Sequence, residues 1–373
     1  VWTGLRHEVD HTLQHTGAET VAADTVPALP EVDAAYVRAH YTKREVYIPM
    51  RDGVRLFTAI YTPKDTSQAY PIMLFRTPYS VSPYGPDAYP GSLGPNEAYT
   101  RDGYIFVSQD VRGRMMSEGD FVNMTPHIAG KDGPEDTDES SDTYDTIEWL
   151  LANVDGHNGR VGQWGISYPG FYSAAGMIDA HPALKAVSPQ APIADWWYDD
   201  FHHNGAFFLP HFFGFFWFFG QPRPEPTTEW PEGLDYGAVD GYAFYRELGP
   251  LTGINDDWYR HRVPFWDSVI AHPHYDDFWQ RRNLVPHLDD VAPAVLVVGG
   301  WYDAEDLYGP LAIYRSIERL DPDSDTKIIE GPWVHGGWAR TAGDRLGDAW
   351  FGGPTSPFYR DSVELPWFRH HLK

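Results

Sequence analysis

Ser167, Asp303 and His335 have the side-chain types and the chain order needed to move an acyl group. A serine hydroxyl is a weak nucleophile until a base takes its proton, and a histidine does this when an acid orients its ring. Each of the three follows a buried, strand-like run. Ser167 lies in Val161-Gly-Gln-Trp-Gly-Ile-Ser-Tyr-Pro-Gly170. Asp303 follows Pro293-Ala-Val-Leu-Val-Val-Gly-Gly300. His335 follows Asp325-Thr-Lys-Ile-Ile-Glu330, inside Gly331-Pro-Trp-Val-His-Gly336. With 17 histidines in the chain, a single one carries little weight. His335 stands out because it lies beyond the last strand, between glycines.

The stretch around Ser167 is the one the chain is organised around. Val161 to Trp164 predicts the end of a buried strand, and Gly165 to Gly170 a sharp turn. Phe171, Tyr172, Ala175 and Ile178 then recur at helical spacing. A serine between strand and helix, with glycines beside it, is the nucleophile elbow of an α/β-hydrolase. The G-x-S-x-G pattern is not strictly met, since Pro169 stands where the last glycine belongs and Gly170 follows one place later. Proline in a first helical turn costs little, because its missing N–H would be unpaired there. The helix N-terminus aims backbone N–H groups at a developing oxyanion. The order Ser, Asp, His, each in a loop after a strand, is that of the same fold.

The positioning elements follow. Glu45–Met50 and Val54–Tyr61 predict a hairpin around Arg51-Asp-Gly53. Further strands are expected at 71–75, 103–108, 181–188, 293–300 and 325–330. Helices are expected over 146–152, after the elbow, and around Leu311 to Ile317. This alternation implies a mostly parallel sheet and an α/β fold. The acidic stretch Asp132 to Asp145 reads as a solvated approach to a helix, and its spacing does not fit a calcium loop. Residues 1–40 read as an N-terminal arm, 41–198 and 291–373 as the hydrolase domain, and 199–290 as an inserted, largely helical cap.

Composition narrows the partners. The net charge of −25 argues against nucleic acid and anionic membranes. The absence of cysteine excludes disulfides, Cys-ligated zinc and a thiol nucleophile. Neither a cofactor nor a metal is called for. The aromatic run Ala206 to Phe219 is too short for a membrane span and is broken by Pro210, His211 and Gly214. It reads as a buried or pocket-lining segment. The chain starts at Val1 rather than Met, as a processed or trimmed form would. A periplasmic or secreted location is the expectation, with a cytoplasmic one as the alternative.

Gly-Ile-Ser-Tyr-Pro-Gly170, Arg76-Thr-Pro-Tyr79, Asp110-Val-Arg-Gly-Arg114, Gly300-Trp-Tyr-Asp303 and Gly331-Pro-Trp-Val-His335 together resemble the cocaine esterase, X-Pro dipeptidyl-peptidase and glutaryl acylase group. The resemblance covers about residues 40 to 373. It implies an oxyanion hole made by the Tyr168 backbone N–H and the Tyr79 phenol. It also implies a C-terminal jelly-roll domain, absent from this chain, so that a partner domain or chain is expected to cover an apolar face. Homo-oligomers in which an N-terminal arm reaches a neighbour are a further expectation.

Asp303-Ala-Glu-Asp306 and Asp199-Asp200 place extra acids at the site. Carboxylates gathered at an active-site mouth call for a cationic partner or for shared protons. The pattern resembles the α-amino-acid ester hydrolases, which also acylate β-lactam nuclei and hold the substrate α-ammonium in three carboxylates. Motif matching assigns these to Asp200, Glu305 and Asp306, with Asp199 as the fallback. The plainer reading makes Glu305 and Asp306 the first acids of a helix. The expected activity is a serine esterase and acyltransferase on α-amino esters and amides, including β-lactam antibiotics. A general carboxylesterase, an X-Pro dipeptidyl-peptidase, a glutaryl acylase and a non-catalytic hydrolase-fold binding protein are the alternatives. A glutaryl acylase would want a cationic pocket, which the acids oppose.

Overall fold

Strand–helix alternation builds one sheet. The computed structural model describes residues 30–237 and 240–373. The strands of its main sheet are β1 (Tyr41–Pro49), β2 (Arg55–Pro63), β3 (Tyr70–Thr77), β4 (Ile105–Asp110), β5 (His157–Ile166), β6 (Leu184–Gln190), β7 (Ala294–Gly300) and β8 (Thr326–Gly331). Across the sheet they run β1-β2-β4-β3-β5-β6-β7-β8. β1 and β2 form the expected hairpin, with Gly53 at φ 86 in its turn. β2 also meets β4 antiparallel, and every later pairing is parallel.

Parallel neighbours need a crossover, and here helices supply it. Glu139–Asn153 precedes β5, Tyr168–Gly176 joins β5 to β6, and Tyr308–Leu320 joins β7 to β8. Strands covered on both faces read as unbroken apolar runs. β7 is buried along its whole length, which is why it was so plain in the sequence. β5, β7 and β8 point the same way, so the loops that carry Ser167, Asp303 and His335 leave one edge of the sheet. That edge is where open α/β sheets place their sites.

The acidic stretch behaves differently from expectation. Its helix begins at Glu139, well before Thr146, and while Asp132 and Glu135 are exposed, the acids from Asp138 to Asp142 are not solvated. Asp138 caps the helix, accepting from Ser141 N at 2.9 Å, while Ser141 Oγ accepts from Asp138 N at 2.8 Å. Asp138, Glu139 and Asp142 are buried. Arg76, fully buried at the end of β3, donates to Glu139 Oε2 at 3.0 Å and to Gln109 Oε1 at 2.9 Å. Arg112 bridges Asp142 at 2.7 Å and Asp52 at 2.6 Å. A charge run looks the same in sequence whether it meets water or arginines from distant strands.

Order also starts earlier than residue 41. Ala34–His40 is helical, with Asp33 accepting from Tyr36 N at its cap. Most of the expected arm, residues 1–29, lies outside the described residues. A short helix, Glu97–Asp102, precedes β4 and was not anticipated.

The segment between β6 and β7, hereafter the cap, is the stretch expected as an inserted cap. It holds helices Leu209–Phe219, Gly241–Glu247, Pro264–Ala271 and Asp277–Gln280, with wide π-type turns at Trp197–Phe201 and Asn255–Tyr259. The aromatic run forms Leu209–Phe219, with Phe212, Phe213, Phe216 and Phe219 buried at helical spacing. Among the described residues, no helix is long and apolar enough to cross a membrane.

Replacing Arg76 with Met should leave Glu139 as a buried, under-compensated charge, while Asp142 keeps Arg112. The expected loss is about 3–5 kcal/mol, read by chemical denaturation. Adding Glu139→Gln should recover part of it.

Candidate active site

Ser167 sits between the end of β5 and the helix Tyr168–Gly176, at φ 70 and ψ −129. Such a conformation costs a non-glycine residue about 1–3 kcal/mol. The surrounding contacts enforce it. A Cβ on Gly165 would lie 2.2 Å from Pro169 O, and one on Gly170 would lie 2.7 Å from Gln190 O. The chain therefore closes on itself at both glycines, and the position one place beyond G-x-S-x-G meets the same need. Ser167 N donates to Gln190 O at 2.9 Å. The Gln190 side chain is itself clamped, donating to Glu364 Oε1 at 2.7 Å and accepting from Trp338 Nε1 at 2.7 Å.

Asp303 lies just past β7 and is buried, with 5% of its surface exposed. Its Oδ2 accepts from His335 Nδ1 at 2.8 Å. Its Oδ1 accepts from the backbone N–H of Glu305 at 2.8 Å and of Asp306 at 2.9 Å. With Nδ1 donating, Nε2 of His335 is the nitrogen left to take a proton. Burial pushes the His335 imidazole down. The Asp303 hydrogen bond and the charges of Glu305, Asp303 and Asp200 outweigh it, so its pKa lies above the ordinary histidine value.

Tyr168 opens the helix, and its backbone N–H lies outside the intrahelical ladder. Its buried ring is fixed by a bond from Met124 N at 3.0 Å and packs edge-on against Tyr79, centroids 6.3 Å apart. Tyr79 follows β3, is half-buried, and also leans on Phe219. Burial, then the neighbouring Tyr168, Asp200, Glu305 and Asp306, pushes its phenol well above the ordinary range. Tyr79 therefore keeps its O–H as a donor.

The acids converge from two directions. Asp200 comes from the cap turn Trp197–Phe201, and Glu305 and Asp306 come from the loop after β7. Asp200 Oδ2 accepts from Trp196 Nε1 at 2.7 Å, while its buried Oδ1 makes no hydrogen bond among the described residues. Both oxygens of the fully buried Asp306 are likewise without one. Glu305 Oε2 lies 3.6 Å from His335 Nε2, and Asp306 Oδ2 lies 3.9 Å from His335 Nδ1. Burial, then Glu305, pushes Asp200 up to about 7. Burial, then Asp200 and Asp199, pushes Asp306 well up. Burial also raises Glu305, but His211 and His335 outweigh it and hold Glu305 below its usual value.

Asp199 is not part of this group. It accepts from the backbone N–H of Ala194, Asp195 and Gly309 at 2.8, 3.1 and 2.6 Å, and so ties the start of the cap to the helix after β7. Glu305 and Asp306 are not first-turn helix acids either, since that helix begins at Tyr308.

Sequence reasoning missed His211. From the helix Leu209–Phe219, its Nε2 lies 3.2 Å from Glu305 Oε1 and 3.9 Å from Asp200 Oδ1. The signal was present: one imidazole stands alone in an otherwise apolar run. Donor atoms of Asp200, His211 and Glu305 lie within 4.8 Å of one another, as do those of Glu305, Asp306 and His335. That is the spacing of a cation site, with an imidazole already inside each set.

Ser167→Ala should abolish acyl-enzyme formation, scored by fluorophosphonate labelling. Ser167→Gly should be equally unlabelled yet more heat-stable than Ser167→Ala, by up to ~1–2 kcal/mol, because glycine accepts a positive φ without strain.

Comparison with known proteins places these features in a family. The model of the X-Pro dipeptidyl-peptidase (S15) family matches residues 52–337. A cocaine esterase from Rhodococcus sp. (strain MB1 Bresler) is 30% identical over 320 residues, 80% of this chain and 50% of its own length. An aminopeptidase from a marine sediment Thaumarchaeota archaeon superposes with a TM-score of 0.79 at 33% identity, covering 95% of this chain and 57% of that one. An α-amino acid ester hydrolase does so with a TM-score of 0.79 at 32% identity and the same coverage. The chain thus spans about half the length of the relatives it matches. On the match over residues 52–337, the chain belongs to the X-Pro dipeptidyl-peptidase (S15) family.

Proposed function

We propose that the chain carries the catalytic part of a serine hydrolase and acyltransferase acting on α-amino-acid esters and amides, α-amino β-lactams among them. The observation that carries this reading is the meeting of Asp200, Glu305 and Asp306 beside the Asp303–His335 pair. An ammonium offers three N–H donors, and three carboxyl groups, one from the cap turn and two from the loop after β7, offer matching acceptors. Two names among the similar structures, aminopeptidase and α-amino acid ester hydrolase, fit an amine-bearing acyl group.

The steps follow from the groups present. His335 Nε2 takes the Ser167 proton as Oγ attacks the carbonyl carbon. The Tyr168 N–H and the Tyr79 O–H stabilise the negative oxygen. Collapse expels the alcohol or amine, which receives the proton from His335. An α-aminoacyl ester remains on Ser167. Water or an amine then attacks it, again with His335 as base, and Ser167 recovers its proton. Asp303 keeps the ring in the productive tautomer throughout.

An aminopeptidase is the second reading, favoured by the archaeal structure, because a peptide N-terminus would use the same acids. Comparing phenylglycine methyl ester with a phenylglycyl dipeptide separates the two.

The decisive comparison is phenylglycine methyl ester against methyl phenylacetate. Asp200→Asn and Glu305→Gln should each lower kcat/KM for the amino ester by at least about tenfold, the low end for a close charge pair. The ester lacking the amine should change by less than about threefold. Equal losses on both would remove the ammonium reading. For methyl phenylacetate, kcat/KM should fall on the acid side with a midpoint above the ordinary histidine pKa of about 6.5. The reason is that His335 is held protonated by its acids and is active only once neutral.

A further inference from the structure

His211 reaches the carboxylate cluster from the cap, yet acyl transfer needs nothing from it. Its ring is held parallel to Phe208, at 5.1 Å and 13°, and to Phe215, at 6.1 Å and 8°. The helix Leu209–Phe219 carries no other charged side chain. The charged groups facing His211 come from elsewhere. Asp200 approaches from the cap turn and Glu305 from the loop after β7, with Asp306 and His335 just beyond Glu305. Arg340 acts on Glu305 from the short helix Gly337–Arg340 that follows β8. His203 sits across the Phe208 ring, with its Nε2 against the Asp199 carbonyl.

His211 Nε2, 3.2 Å from Glu305 Oε1 and 3.9 Å from Asp200 Oδ1, therefore lies against the same oxygens that a substrate ammonium would use. Two positive charges held against the same carboxylate oxygens repel each other strongly near a protein surface. They cannot share Glu305 and Asp200 without loss. We propose that His211 is a specificity-determining residue: a tethered counter-cation that holds the ammonium's place in the free site and yields it only by giving up its proton. This rests on the reading of the cluster as an ammonium site.

The exchange balances in charge and protons. A substrate ammonium plus the imidazolium form of the site gives the ammonium complex, a neutral imidazole and one proton released to solvent. Burial pushes the His211 imidazole down, but the bond to Glu305 and the charges of Asp200 and Glu305 outweigh it, so the cation persists above the ordinary histidine value. The sign follows. Above its pKa His211 is neutral, and the cluster is open to amines. Each pH unit below it should weaken selection of amine-bearing donors by about tenfold. An ester with no amine is indifferent to the occupant. In acid the site becomes a less selective esterase.

The test reads the ratio of kcat/KM for phenylglycine methyl ester to that for methyl phenylacetate, against pH. Protonation of His335 affects both substrates and cancels in the ratio. In wild type the ratio should fall on the acid side, about tenfold per unit. His211→Gln, uncharged at every pH, should show a clearly shallower fall than wild type, keeping only the part that protonation of Asp200 imposes. His211→Lys, charged throughout, should lower the ratio at every pH. A second measurement needs no variant: binding of benzylamine to wild type, followed calorimetrically in two buffers of different ionisation enthalpy, should release one proton at acid pH and none above the transition. An acid-side slope in His211→Gln as steep as in wild type, or benzylamine binding with no proton released at any pH, overturns the role of His211. A ratio near one for wild type and His211→Gln alike at every pH instead sinks the ammonium site itself, so the two failures are distinguishable.

Discussion

One carboxylate, that of Asp303, holds both halves of the site together. One oxygen fixes the His335 ring at 2.8 Å, and the other takes the backbone N–H groups of Glu305 and Asp306. The His335 ring and the Glu305–Asp306 backbone are therefore positioned by the same buried group. A carboxylate this buried is tolerable because three N–H donors reach its two oxygens. The consequence is geometric: the loop after β7 cannot shift the histidine without also shifting Glu305 and Asp306.

The elbow obeys a similar constraint. Ser167 is held at an unfavourable φ because Gly165 and Gly170 let the chain close on Pro169 and Gln190. Gln190 cannot give way, being clamped between Trp338 and Glu364. Glu364 lies just before the final helix Leu365–Leu372, which in turn packs where a Cβ on Gly162 would lie 2.6 Å from Leu372 Cδ1. Strain at the serine is thus sustained by packing that reaches the last residues of the chain.

Around this frame the site gathers more negative charge than it can ionise at once. Burial and mutual repulsion drive Asp200 and Asp306 up, while Glu305, between two imidazoles, stays ionised. Neighbouring acids pushed apart in this way take different roles: one offers charge, the others offer hydrogen-bonding carboxyl groups. Because the cap supplies Asp200 and His211 and the sheet supplies the rest, the character of the site depends on how these segments meet.

Much of the frame was legible in the chain itself. Buried parallel strands read as unbroken apolar runs, as in β7, and Asp52-Gly53 marked its hairpin, because these signals are local. The order of Ser167, Asp303 and His335, each past a strand, reflects a topology that sequence order reports directly. The acids from Asp138 to Asp142 were misread as solvated, since their arginine partners arrive from β3 and from the loop after β4. Asp199 and Asp200 are adjacent and chemically identical, and only the fold decides that one ties down backbone amides while the other faces the cluster. His211 was a lone imidazole in an aromatic run until the helix carried it to Glu305. Local pattern determines strands, turns and chain order. Charge pairing and proton sharing between segments a hundred residues apart depend on distance and burial, and these exist only once the chain has folded.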